Sequence, residues 1–298
     1  MSNNTQQTAG GDVPLPVNET TKFTYSKGQR KLSADHVIAE QPLQIRLLWG
    51  NVHALNSQVF SITMRTPGQD EQLIIGLLLS EGIIWSIKDI AEIVAELEQD
   101  EYANLWEVRL SEGMTPVLAS LERYQVTYSS CGLCGATSLK SLELKNPPSL
   151  SFQPRWLSPD IVCQLAKIMR NNQTVFAKTG AAHAAALFDG QGQLINVKED
   201  IGRHNAVDKL VGAMVQDDFA QKDKLCMVVS GRISFEIVQK TVMAGIPVLV
   251  AVGAPSELAI RAAKRFDLTL IGFATQDSFN LYHGEWRLNS MEDTCQKT

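Results

Sequence analysis

The most reactive groups in this chain lie in one short stretch, TYSSCGLCGATSL, residues 127–139. Cys131 and Cys134 are two residues apart, and a glycine follows each of them, Gly132 and Gly135. Glycine removes bulk beside each sulfur and opens backbone conformations that other residues resist. ATSLKSLEL reads as a helix, which puts Cys131 near a helix N-terminus, where amide groups and the helix dipole favour a thiolate. Three chemistries use such a pair. It can be half of a zinc site, a dithiol redox couple, or a sulfur carrier in which one cysteine holds a persulfide and the other assists or expels sulfide. Structural zinc needs four ligands; there is no second cysteine pair, and His183 and His204 show no ligand spacing. A thioredoxin-like pair follows the first strand of a small βαβ domain, whereas this one lies mid-chain. The loop alone does not separate redox exchange from sulfur carriage. Cys163, Cys226 and Cys295 fall in a helical pattern, a short apolar strand and a tail, which suits core or incidental roles.

Other polar groups cluster downstream. KEDIGRHNAVDKL (198–210) brings Arg203, His204 and Asn205 together after Asp200, which reads as a helix N-cap. Arg203 offers a planar fork for phosphate or carboxylate, and His204 can carry a proton near neutral pH. KTGAAH (178–183) sets Thr179 and Gly180 at the end of a strand-like stretch before His183. VVSGRISFE (228–236) reads as strand, turn and helix, so that helix amides with Ser230 and Arg232 make an anion site. It lacks the lysine and spacing of a P-loop.

These groups need elements to hold them. Residues 1–34 are polar and read as a tail, with order beginning near Asp35. EQPLQIRLLWGNVHAL reads as a hairpin and VFSITMRT as a strand. TPGQDEQLIIGLLLSEGII changes to helical period, with a stripe of Leu73, Ile74, Leu77 and Leu78, Asp70 as cap and Gly82 past the end. LWEVRL and YQVTYSS read as strands, so 35–145 is an α+β domain that ends in the cysteine loop. NPPSLSFQP (146–154) is the linker, and Ser158-Pro159 starts a helix. TVFAKTG, HAAALF, LCMVVS, IPVLVAV and LTLIGF read as strands, FDGQGQLIN as a turn into another, and IGRHNAVDKLVGAMV, SFEIVQKTVMAG and SELAIRAAKRF as helices. That order predicts a layered α/β domain over 155–290.

Bulk properties bound the function. The 298 residues are 44% hydrophobic and 20% charged, with net charge −5, which argues against a global hold on nucleic acid. The N-terminus has no apolar core for a signal peptide, and the longest apolar run, VMAGIPVLVAVGAP, is too short for a membrane span. With five cysteines and no disulfide framework, the setting reads as reducing and cytoplasmic, away from membranes.

EQPLQI, TPGQDEQLIIGLLLSEGII, SSCGLCG, TGAAHAAAL, EDIGRHNAVDK, SGRISFEIVQK and LTLIGF, in this order from about Glu40 to Leu288, resemble the FdhD family of sulfur carriers. The resemblance implies a homodimeric sulfurtransferase that takes sulfur from a cysteine desulfurase. It passes the sulfur to a molybdenum bis(molybdopterin guanine dinucleotide) cofactor destined for formate dehydrogenase. Cys131 would carry the persulfide and Cys134 would be its partner. The second domain would be cytidine-deaminase-like, although the zinc ligands of deaminases have no counterparts here. The loop after the last strand would help to hold the cofactor: Phe273, Ala274, Thr275, Gln276, Asp277 and Ser278. Relatives often carry Arg or Lys there, and this chain has neither. Thr179, His183, Arg203, His204, Ser230 and Arg232 complete the expected pocket. The alternatives are a dithiol oxidoreductase and a non-catalytic chaperone of the cofactor.

Overall fold

The computed structural model describes residues 15–51, 54–96, 103–116, 135–143, 145–217, 219 and 222–289. Two sheets organise them, and the fold is α/β, as expected. A four-stranded sheet, in the order β4-β3-β6-β5, contains β3 (Gln41–Asn51), β4 (Ala54–Arg65), β5 (Ile90–Glu96) and β6 (Leu105–Leu110). A six-stranded sheet, in the order β12-β11-β10-β9-β7-β8, contains β7 (His183–Phe188), β8 (Leu194–Asp200), β9 (Cys226–Val229), β10 (Val248–Ala251), β11 (Thr269–Gly272) and β12 (Asn280–His283). Strands β9, β10 and β11 are mutually parallel, while β7 and β12 run antiparallel to their neighbours.

Both faces of the six-stranded sheet are covered, so its central strands are apolar throughout. Ala185, Leu187, Met227, Val229, Leu249 and Ala251 face a large core shared with helices α1 (Asp70–Ser80), α5 (Arg203–Gln216), α6 (Phe235–Met243) and α7 (Glu257–Arg265), and with the four-stranded sheet. Their alternating neighbours Ala184, Ala186, Phe188, Cys226, Val228, Val248 and Val250 face α3 (Pro159–Asn171) through Val162, Leu165 and Met169. Ser158 and Pro159 begin α3 as the sequence predicts. The shorter α2 (Gly135–Glu143) follows the cysteine pair, and both cysteines and YQVTYSS lie outside the described residues.

Helix α1 departs from the single stripe expected of it. All eight residues from Leu73 to Ser80 are buried, because the helix runs between the four-stranded sheet and α5. The crossing with α5 is close enough that a Cβ on Gly76 would overlap the carbonyl of Asp208, and one on Gly212 that of Gln72. Asp70 does not cap this helix; the N-cap is Gln69, in the left-handed region at φ 60°. Asp70 instead accepts from the fully buried Arg65 at 2.9 and 3.0 Å.

Two further expectations are corrected. Residues 17–34, read as tail, belong to the hairpin of β1 (Val17–Ser26) and β2 (Gln29–Ile38). Lys27 and Gly28 turn it with φ of 50° and 77°, the paired positive values of a two-residue I′ turn. TVFAKTG, read as a strand, is the short helix α4 (Thr174–Thr179). Both carboxylate oxygens of Glu199 accept its first amides, from Val175 and Phe176 at 2.8 Å each, and Gly180 closes it at φ 69°. The 146–154 segment lacks regular structure yet is pinned: Arg287 donates to the Ser151 carbonyl, and Phe152 stacks on Trp286.

Candidate functional site

The parallel direction of β9, β10 and β11 gathers their C-terminal ends on one edge, where open α/β sheets bind ligands. Because β7 is antiparallel to both β8 and β9, its first residue, His183, and the last of β8, Asp200, reach the same edge. Here the chain turns tightly. Gly253 donates its amide to the Gly231 carbonyl at 3.2 Å, and a Cβ on Gly253 would stand 2.7 Å from that oxygen. Phe273 donates its own amide to the Gly253 carbonyl from a left-handed conformation, φ 54°.

Ser230 anchors the edge. Its Oγ accepts the Ala184 amide at 2.9 Å and lies 3.4 Å from His183 Nδ1. The direction of the Ser230–His183 hydrogen bond follows the tautomer of the ring, since the hydroxyl can accept a second bond or donate one. Burial pushes the His183 pKa down, the Arg203 guanidinium lowers it further, and Asp200 acts in the opposite sense. The Arg203 side chain passes Gly231 close to His183, and its Nε is buried without a partner. His204 Nε2 lies 3.3 Å from Ser234 Oγ; burial, with Lys240 and Arg203 nearby, brings its pKa to about 4. Both imidazoles are therefore neutral near pH 7.

Part of the 198–210 motif is structural. Asp200 does not serve as the helix N-cap, which is Gly202. It pairs with Lys209 at 2.7 Å and accepts the Thr66 amide at 3.1 Å. Lys209 also donates to the Thr66 carbonyl, and Asn205 to that of Met64, each at 2.8 Å. These bonds fasten the start of α5 to the end of β4, which fixes where Arg203 and His204 stand.

A cavity of ≈ 390 Å³ opens on the other face of the edge. Ser230, Val252, Ala274, Thr275 and Gln276 form one side, and α3 supplies the other through Lys167, Met169 and Arg170, with Gln173 just beyond its end. The structure thus brings Ala274, Thr275 and Gln276 to Ser230. Phe273, Asp277 and Ser278 lie outside the wall, and the loop is closed by Thr275 Oγ1, which accepts the amides of Asp277 and Ser278. Thr179 bonds within its own helix end and Arg232 is exposed. Lys167, Arg170 and Gln173 were not among the expected site residues. The core spacing of Val162, Leu165 and Met169 fixes which face of α3 turns away from the sheet. Nothing local says that this face meets a loop a hundred residues later.

The described thiols are Cys163 and Cys226. Burial pushes the Cys226 thiol far up, and burial with Asp160 and Asp277 raises that of Cys163. Among the described residues no group of three or more His, Cys, Asp or Glu could hold a metal ion. None of their helices is long and apolar enough to cross a membrane.

Comparison with known proteins agrees with the motif order. A sequence model of the FdhD/NarQ family matches residues 38–289. The sulfur carrier protein FdhD of Streptomyces avermitilis is 43% identical over 259 residues, 85% of this chain and 89% of its own. That of Sulfurisphaera tokodaii is 40% identical over 268 residues, 90% of this chain and 97% of its own. A crystal structure from Desulfotalea psychrophila, described as a formate dehydrogenase accessory protein, covers 92% of this chain with a TM-score of 0.70. At 22% identity it speaks for the fold.

Proposed function

This chain belongs to the FdhD/NarQ family, and on that footing we propose that it is a sulfur carrier serving formate dehydrogenase. Cys131 attacks the outer sulfur of a desulfurase persulfide. The new bond is Cys131 Sγ–S, the desulfurase cysteine leaves as its thiolate, and no net oxidation occurs. Cys134 is the assisting thiol. The acceptor is the molybdenum bis(molybdopterin guanine dinucleotide) cofactor, bound as substrate at the strand-end edge. Of the expected pocket residues, Ser230 lines the same cavity as Ala274, Thr275 and Gln276; His183, Arg203, His204, Thr179, Arg232, Phe273, Asp277 and Ser278 would complete the hold on the cofactor.

The family match across residues 38–289 carries this reading. The burial of Cys226 supports it, since a thiol shut in the core does not compete with the glycine-flanked pair for sulfur. The buried, unpartnered Nε of Arg203 supports binding of an anionic, hydrogen-bonding substrate.

The test is to incubate the protein with a cysteine desulfurase and cysteine, then map the added sulfur by mass spectrometry. One extra sulfur on the peptide bearing Cys131 is expected, absent in Cys131→Ser. A Cys131→Ser protein that still loads and delivers sulfur removes that role. A disulfide between Cys131 and Cys134 with no retained sulfur would favour a dithiol oxidoreductase instead.

A further inference from the structure

We propose that the β1–β2 hairpin is a clasp between two copies of this chain: its apolar face lies on the same face of a second copy's hairpin, with the two arms antiparallel about a two-fold axis.

The pairing register sorts the hairpin into two faces, because residues directly opposite one another point the same way. Phe23 pairs with Leu32, Tyr25 with Arg30, Thr21 with Ala34 and Glu19 with His36. The alternate set is mostly polar and includes Thr20, Lys22, Thr24, Lys31, Ser33 and Asp35. A ribbon on a protein surface ordinarily turns its polar face to water. This one does the reverse. β2 runs beside α4, and Ser33 and Asp35 of the polar set are half-buried. Phe23, Tyr25 and Leu32 are 50%, 73% and 57% exposed. The Arg30 guanidinium lies 3.6 Å over the Phe23 ring and still leaves that residue half exposed. A two-stranded hairpin is marginal in water unless its apolar face is covered, so this face calls for an occupant.

The pattern along the face selects a second copy. From tip to base come four levels, Tyr25/Arg30, Phe23/Leu32, Thr21/Ala34 and Glu19/His36, about 7 Å apart. Take a copy, turn it end for end, and set the axis between the second and third levels. The bulky Phe23–Leu32 pair then meets the small Thr21–Ala34 pair, so rings enter a gap. The Arg30 level meets the Glu19 level. Glu19 is 85% exposed and has only a long contact, 3.8 Å, to His36. Each arm therefore brings a cation to the other's carboxylate, twice over about the axis, as a two-fold contact requires. A partner surface of one sign would suit one end of the face and oppose the other.

Sedimentation velocity on the full chain over a concentration series tests this. The wild type is expected to form a dimer. Phe23→Ser with Leu32→Ser should weaken it about tenfold or more. Glu19→Arg and Arg30→Glu should each weaken it about tenfold, since like charges then face each other twice. Mixed one to one, those two variants should recover the dimer, because each arm carries the charges the other needs. Lys31→Ala, on the polar face, should change nothing. Circular dichroism checks that each variant is folded. A wild type that stays monomeric at every concentration overturns the inference and leaves the face to a different protein. A dimer indifferent to the Phe23 and Leu32 substitutions also overturns it, as does a mixture that fails to recover. None of these readouts involves sulfur loading, so the clasp stands or falls apart from the carrier reading.

Discussion

At the scale of single residues, His204 ties the protein's stability to pH. Its imidazole is neutral in the fold, with a pKa brought to about 4, whereas the unfolded chain protonates near the ordinary 6.5. Between those values the unfolded state binds more protons, so stability falls as pH drops from 6.5 towards 4. The loss across that window is on the order of 3 kcal/mol. His204→Gln should flatten the slope there and leave the difference from wild type constant above pH 6.5. Denaturant titrations at a series of pH values will show it; parallel curves for the two proteins would refute the assignment. Ser230 belongs to the same scale. Ser230→Ala leaves the Ala184 amide without its acceptor and His183 without its anchor, a cost of about 1–3 kcal/mol read from the denaturation midpoint.

At the scale of elements, the crossing of α1 and α5 sets a hard limit. Gly76→Ala or Gly212→Ala drives a methyl into backbone carbonyls that cannot rotate away. A loss of about 3 kcal/mol or more is expected for each, measured by chemical denaturation. An unchanged midpoint would mean that the helices stand further apart. Most elements were legible because burial imposes a period: the apolar strands around Val228 and Val250, and the helix beginning at Ser158-Pro159, needed only local signals. The exceptions have physical causes. Thr174, Val175 and Phe176 have strand propensity, yet Glu199 offers acceptors to two amides and the segment winds into a helix. That acceptor comes from another strand, so no local reading finds it. The β1–β2 hairpin is exposed along most of both strands, and its polar composition resembles that of a tail. Only the Lys27-Gly28 turn betrays it. The place of Lys167 and Arg170 on the cavity wall was hidden for the same reason as the Glu199 cap, because the loop opposite them lies a hundred residues away.

At the scale of the whole molecule, a buried polar clamp joins the strands before the cysteine pair to the domain after it. Asp200, Lys209, Asn205 and Thr66 form one end. Lys240 pairs with Asp208 at 2.7 Å at the other, with Ser80 alongside. Lys209→Met would leave Asp200 as a lone buried charge, at a cost of about 3–5 kcal/mol. The Asp200→Asn/Lys209→Met pair should recover much of that, which a double-mutant cycle measures. The close crossing of α1 and α5 also bears on synthesis. A ribosome delivers α1 well before it makes Gly212, so eight consecutive residues of that helix wait for the surface that shields them. The nascent chain therefore carries a sticky helix until α5 emerges, and a product truncated in the 146–154 segment should be a client of chaperones rather than a folded half.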